Sequence, residues 1–315
     1  MTKVTFFSAS LLACLLLVGV NSAPAAEFTL EEHDEGINVM LDGKLFTTYV
    51  KLSDSKPILW PIIGPHGKPI TRAYPMADAG EHERSDHKHH RSFWFTHGIV
   101  NGYDFWAEGK ETSGKIIHQA FKKKVEGETA QIVTLNDWVG PDGKPVCKDQ
   151  RTLTFGVDGD NRYIDFDIVI MAGEQEVTFG DTKEGTFGIR VAGSMKVDAK
   201  MGGTILNSEG DKDGATWAKQ ASWVDYVGPV GGDKVGIAIL NHPSSFRYPT
   251  HWHVRSYGLF AANPFGINDF EPKQNKNGSH TIEPGKTLAF SYRVLIHKGD
   301  ADIDEAFKQY EGSKK

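Results

Sequence analysis

Cysteine is nearly absent: the 315-residue chain has two, Cys14 and Cys147. Strong charge of one sign is also missing, with 35 Lys and Arg against 41 Asp and Glu, a formal net charge of −6. No basic stripe or Lys/Arg-rich run occurs, which argues against nucleic acid as a partner. After the N-terminus no stretch is apolar enough to cross a membrane as a helix. Gly-x-Ser-x-Gly elbows and P-loop glycine patterns are missing too, so neither an α/β-hydrolase nucleophile nor a phosphate cradle is expected.

The single long apolar run lies at the start. Met1-Thr2-Lys3, the apolar stretch through Val20 and then Ala23-Pro24-Ala25 follow the order of a secretory signal peptide. Cleavage is expected after Ala25, with 1–25 as signal and 26–315 as one domain. The alternative is a retained membrane anchor, but the run sits near the lower length limit for a spanning helix. Losing Lys3 takes the net charge to −7. Cys147 then stands alone, so no internal disulfide forms and the fold rests on core burial, for which about 290 residues suffice.

Glycines and prolines punctuate a period-two pattern. Ile37–Leu41 and Leu45–Val50 flank Asp42-Gly43, a strong hairpin signal. Ile116–Val125 and Ala130–Val139 flank Gly127; Arg151–Val157 and Arg162–Met171 flank Asp158-Gly159-Asp160. In the last strand Ile164, Phe166, Ile168 and Ile170 share a face opposite Asp165 and Asp167, as a half-buried antiparallel strand requires. Phe187–Ala192, Val235–Leu240 and Leu288–Ile296 read as further strands, and Ile58–Pro75 as strand fragments and loops. Only Asp302–Tyr310 reads as helix, capped by Asp302. The expected class is all-β: a large antiparallel β-sandwich with a short C-terminal helix.

Chemistry concentrates in two places. Asp86-His87-Lys88-His89-His90-Arg91-Ser92-Phe93-Trp94-Phe95-Thr96-His97-Gly98 holds four of the thirteen histidines. In an extended chain His87 and His89 point one way and His90 the other. Far along the chain, His251-Trp252-His253-Val254-Arg255 has two more histidines on one face and Trp252 opposite. Histidine titrates near neutral pH and ligates metals, so the two clusters are expected to meet in one pocket.

Three motifs carry a family resemblance. They are Asp86–Gly98, Gly180-Asp181-Thr182-Lys183-Glu184-Gly185-Thr186-Phe187-Gly188-Ile189-Arg190, and Trp252-His253-Val254-Arg255 with Tyr257-Gly258-Leu259-Phe260-Ala261-Ala262-Asn263-Pro264-Phe265-Gly266. Together they resemble the bacterial exported proteins labelled PmoA, whose function is unassigned. The label suggests a methane monooxygenase membrane subunit, which a chain with no spanning helix after its signal excludes. Glu283-Pro284-Gly285-Lys286 before a long alternating strand also resembles the ending of galactose-mutarotase-like supersandwiches. That resemblance implies carbohydrate chemistry of the mutarotase, lyase or hydrolase kind.

The expected site follows. His90 and His253 exchange protons, Glu184 orients or assists, and Arg91 and Arg255 neutralise developing charge. Trp94, His97, Arg190, Trp252 and Asn263 are further candidates for holding substrate. His87, His89 and His251 are candidate ligands of a divalent metal, although their spacing matches no standard zinc motif. The rival readings are a non-catalytic carbohydrate-binding protein and a metal-dependent oxidoreductase. Export is checked by sequencing the N-terminus of protein recovered outside the cytoplasm: it is expected to begin near Ala26, and an intact Met1 would refute the cleaved signal.

Overall fold

A computed structural model of the protein describes residues 1–3 and 25–313. The apolar run read as a signal peptide lies outside the described residues. In chain order the strands are β1 (Phe28–His33), β2 (Gly36–Leu41), β3 (Lys44–Ser53), β4 (Lys56–Ile62), β5 (Phe93–His97), β6 (Lys115–Val125), β7 (Ala130–Val139), β8 (Pro145–Asp158) and β9 (Asn161–Met171). They continue as β10 (Val177–Phe179), β11 (Gly185–Arg190), β12 (Thr204–Asn207), β13 (Trp223–Val230), β14 (Asp233–Asn241), β15 (His251–Val254), β16 (Leu259–Asn263), β17 (His280–Ile282) and β18 (Thr287–His297). Two α-helices occur among the described residues, α1 (Ile267–Phe270) and α2 (Ile303–Ser313).

The strands form two eight-stranded sheets and one two-stranded ribbon. The first sheet runs β1-β2-β3-β4-β5-β11-β16-β15; the second runs β12-β13-β14-β18-β9-β8-β7-β6; the ribbon is β10-β17. Pairing within all three is antiparallel, as period-two patterning and tight turns dictate. Asp42 and Gly43 turn with φ of 50° and 71°, the left-handed geometry of a two-residue hairpin.

Inner faces of the two sheets meet in one continuous apolar core. Phe93 and Phe187 of the first sheet pack on Phe166 and Tyr292 of the second, with ring centroids 4.7–5.7 Å apart. Ile164, Phe166, Ile168 and Ile170 are all buried, as their alternation predicts. One ion pair is sealed into this region: Asp149 accepts from Arg151, Asn136 and the Trp138 indole, which offsets the cost of burying its charge. Cys147 packs here and burial pushes its thiol pKa well up, so it is unreactive. Helix α2 covers the outer face of the second sheet through Ile303 and Tyr310, with Asp302 accepting from the Glu305 amide at 3.0 Å.

The first sheet's outer face is what positions the site. Side chains alternate along a strand, so residues opposite one another across a ladder share a face. Trp94 on β5 stands opposite Gly188 on β11, Gly188 opposite Ala261 on β16, and Ala261 opposite His253 on β15. The neighbouring row, Phe95, Phe187, Ala262 and Trp252, turns into the core. An indole at one end and an imidazole at the other are thus separated by the two smallest side chains. A Cβ on Gly188 would lie 2.7 Å from the Trp94 ring. Gly188→Val is therefore expected to lose about 1–3 kcal/mol by overpacking, read from the urea midpoint; an unchanged midpoint would show that the indole yields without cost.

Candidate active site

Residues 80–92 form an irregular segment ahead of β5. A single buried guanidinium organises it. Arg72 donates from Nη1 to the carbonyl of Asp86 (3.0 Å) and its carboxylate (3.2 Å), and from Nη2 to the carbonyls of His87 (2.8 Å) and His90 (3.1 Å). The chain turns at His87, whose φ is 42°, and the His90 amide donates back to the His87 carbonyl at 2.9 Å. This turn corrects the expectation that His87 and His90 point opposite ways: their rings stack, 5.0 Å apart and 14° from parallel. Tyr257 extends the column beyond His87 and Trp94 extends it beneath His90, at 5.6 and 5.4 Å. His89 meets His90 edge-on at 4.5 Å.

The two principal histidines have opposite hydrogen-bond polarity. Nη1 of Arg190 lies 2.9 Å from Nδ1 of His90. Guanidinium only donates, so Nδ1 of His90 accepts and its proton resides on Nε2. Burial, then the nearby His89 and Arg190, hold the His90 pKa well below the ordinary value, leaving the ring neutral. In His253, Nδ1 lies 2.7 Å from the carbonyl of Lys183. A carbonyl only accepts, so Nδ1 carries the proton and Nε2 a lone pair. Burial also lowers the His253 pKa, opposed by the Lys183 hydrogen bond and the Glu184 carboxylate. Neither Nε2 is sealed from solvent without a partner.

Both imidazoles line one cavity of about 560 Å³, together with His87, His89, Trp106 and Tyr257. His87, His89 and His90 of the first cluster and His253 of the second therefore border one cavity, whereas His251 does not. Charged groups on the same walls are Asp104, Glu108, Lys110, Lys183, Glu184 and Arg255. Glu184 is partly exposed and pairs with Lys183 at 3.2 Å. Sequence reasoning did not find Glu108, Asp104, Tyr257 or the supporting Arg72. Glu108 takes two hydrogen bonds from Arg91 (2.8 and 2.9 Å) and one from buried Lys56 (2.7 Å). These outweigh burial and bring its pKa to about 2, so it is a fixed anion rather than a proton acceptor.

Several expected substrate contacts lie elsewhere. Arg91 does not line the cavity; its guanidinium is spent on Glu108 and Ser53. Trp94 is buried beneath His90, and Trp252 faces the core with its indole N–H on the Ala221 carbonyl. Arg190 acts from behind through His90. His97 and Asn263 are buried and hold the 180–184 loop: His97 Nε2 bonds the Gly180 carbonyl at 2.7 Å, and Asn263 donates to the Thr182 carbonyl at 2.9 Å. His251 shares the face of His253, as alternation predicts, but pairs with Glu271 at 2.8 Å and stacks on Phe270. It is thereby divided from His87 and His89. Among the described residues no three His, Cys, Asp or Glu side chains group as metal ligands, so the residues present do not fit the divalent metal considered from the sequence.

Buried neutral histidines make the fold acid-sensitive. Burial lowers the His97 pKa to about 4, from 6.5 in the absence of structure. Between these values the unfolded chain binds more protons, so stability is full above pH 6.5 and falls as pH drops toward 4. His97 alone should account for a loss of about 3 kcal/mol by pH 4. Urea midpoints are expected to hold from pH 7.5 to about 6.5 and then to fall through pH 4.5; a flat profile would contradict a neutral buried imidazole.

No curated protein matches the chain. Solved structures that follow a similar course include an alpha-galactosidase from Lactobacillus brevis (9% identity, TM-score 0.41), covering 86% of this chain and 39% of that one. Another is a galactose mutarotase related enzyme from Lactobacillus acidophilus (10% identity, TM-score 0.35), covering 87% and 99%. This chain thus spans well under half the length of the alpha-galactosidase, and at such scores no activity transfers. Nothing in the comparisons connects the chain with the PmoA set that its motifs resemble. What does match, over residues 36–311, is the model of a family of unknown function (DUF6807), and the chain belongs to that family.

Proposed function

We propose that the protein is an exported carbohydrate-active enzyme that moves a proton on a sugar. His253 takes the proton, and His90 holds the oxygen on which negative charge develops. The observation that carries this reading is the opposite polarity of two neutral imidazoles on one cavity wall. A general base needs an unprotonated lone pair at working pH. Burial keeps Nε2 of His253 in that state, and the Lys183 carbonyl decides which nitrogen it is. Stabilising a developing oxyanion needs a preorganised donor. Nε2–H of His90 is one, and it is held as a donor because Arg190 occupies the other nitrogen.

Carbohydrate suits the walls. A sugar ring has an apolar C–H face and a polar rim; the cavity offers Trp106 and Tyr257 beside imidazole, carboxylate and ammonium groups. Its 560 Å³ lies in the range of small-ligand sites. Mutarotation, elimination and hydrolysis each need a base and a hydrogen-bond donor held across a sugar. Glu184 supports the base electrostatically, while Glu108 is held in the wall by hydrogen bonds from Arg91 and Lys56.

The test is turnover on a panel of mono- and oligosaccharides. His253→Ala and His90→Ala are each expected to fold and to lose about 10²–10⁴-fold in rate, with the double variant little worse than either. The rate of the parent enzyme should rise with pH through a single titration below 6.5 and then level, because protonated His253 has no lone pair. Saccharide binding without product from any member of the panel would make the protein a binding module and overturn the enzyme assignment.

A further inference from the structure

The cavity walls carry three carboxylates and three cations, but these do not pair off one to one. Lys110 is matched by Asp104 at 3.0 Å and Lys183 by Glu184 at 3.2 Å. The Glu108 carboxylate is already saturated by Arg91 and Lys56 from behind the wall. Among the described residues this leaves Arg255 with no carboxylate partner and no side-chain hydrogen bond. Its guanidinium rests against the rings of Trp217 and Tyr257, each 5.6 Å away. Contacts of a guanidinium with aromatic rings hold the cation in place without using its N–H donors on an acceptor.

The layer behind His90 is short of negative charge as well. Arg72 and Arg190 share one carboxylate, that of Asp86, at 3.2 and 3.6 Å. Burial, with Arg72 beside it, brings the Arg190 pKa down to about 10. His90 and His253, being neutral, supply no negative charge. This positive surplus lies in a protein whose formal charge is −6, so it is local and not a product of overall composition.

We propose that the cavity takes a sugar bearing a carboxylate, a uronate or sugar acid, and that Arg255 is the residue that pairs with it. A planar fork of donors matches two coplanar carboxylate oxygens. One uncompensated guanidinium on the wall offsets one negative charge, whereas a phosphate monoester would bring nearly two. The inference rests on reading the cavity as a sugar site and specifies its substrate class.

Calorimetric titration of the mature protein with glucuronate, galacturonate and digalacturonate, against glucose, galactose and galactose 6-sulfate, tests it. The uronates are expected to bind at least about tenfold more tightly than their neutral counterparts, and Arg255→Gln to weaken uronate binding about 10- to 100-fold, the range of a charge-assisted hydrogen bond. Arg255→Lys keeps the charge without the fork and should fall between. Equal affinity for neutral sugars, or unchanged uronate binding in Arg255→Gln, overturns the substrate class and leaves the sugar site standing. Galactose 6-sulfate binding as tightly as galacturonate overturns the carboxylate in favour of any monoanion. If no saccharide binds, the sugar site itself falls, and this inference with it.

Discussion

The buried guanidinium of Arg72 is the contact on which the site depends. Four oxygens of the Asp86–His90 turn converge on it, three of them backbone carbonyls that a strand would have satisfied through a ladder. A segment this irregular must find partners for its polar backbone or lose stability. Arg72 supplies them from one planar group, and the same turn stacks His87 on His90. Removing that cation would strand several carbonyls and leave the Asp86 carboxylate to His87 and Arg190, so positioning of the imidazoles and local stability are one property.

Burial then sets the chemistry. The outer face of a two-layer sandwich ordinarily meets water, but here the histidine segment and the Asp104–Lys110 loop border a cavity over the row from Trp94 to His253. Desolvation makes both imidazoles neutral. Neutral histidine has two tautomers, and only a second partner can choose between them. A donor faces His90 and an acceptor faces His253, so one desolvated environment yields two rings with reversed roles. Glu108 shows the converse: hydrogen bonds from cations keep a nearly buried carboxylate ionised.

Much of the scaffold was legible in the chain because its signals are local. Asp42-Gly43, Gly127 and Asp158-Gly159-Asp160 turn where left-handed φ values are needed, and the strands beside them alternate because one face is buried. β4 and β5 escaped that logic. β4 carries Pro57 and Pro61, and all five residues of β5 are buried, so no alternation marks it. Residue type alone also could not tell where each tryptophan sits: Trp106, though nearly fully buried, borders the cavity, while Trp94 and Trp252 support it from below and from the core. That His90 and His253 border one cavity was expected on chemical grounds. The tautomers were not readable, since they depend on Arg190 and the Lys183 carbonyl, partners brought near only by folding.

The two tautomers are secured by different kinds of atom, and this has a consequence for how the protein tolerates change. His253 is oriented by a main-chain oxygen, which every amino acid at position 183 would supply. His90 is oriented by a side chain, and no residue other than a donor of matching reach at position 190 can replace it. Random substitution therefore bears unequally on the pair. The base half is robust to the identity of its partner and vulnerable only to the course of the 180–184 loop, whereas the donor half can be lost at a single codon. In a diversified library, holding the histidine should constrain position 183 less than position 190, although neither residue need touch a ligand to do so.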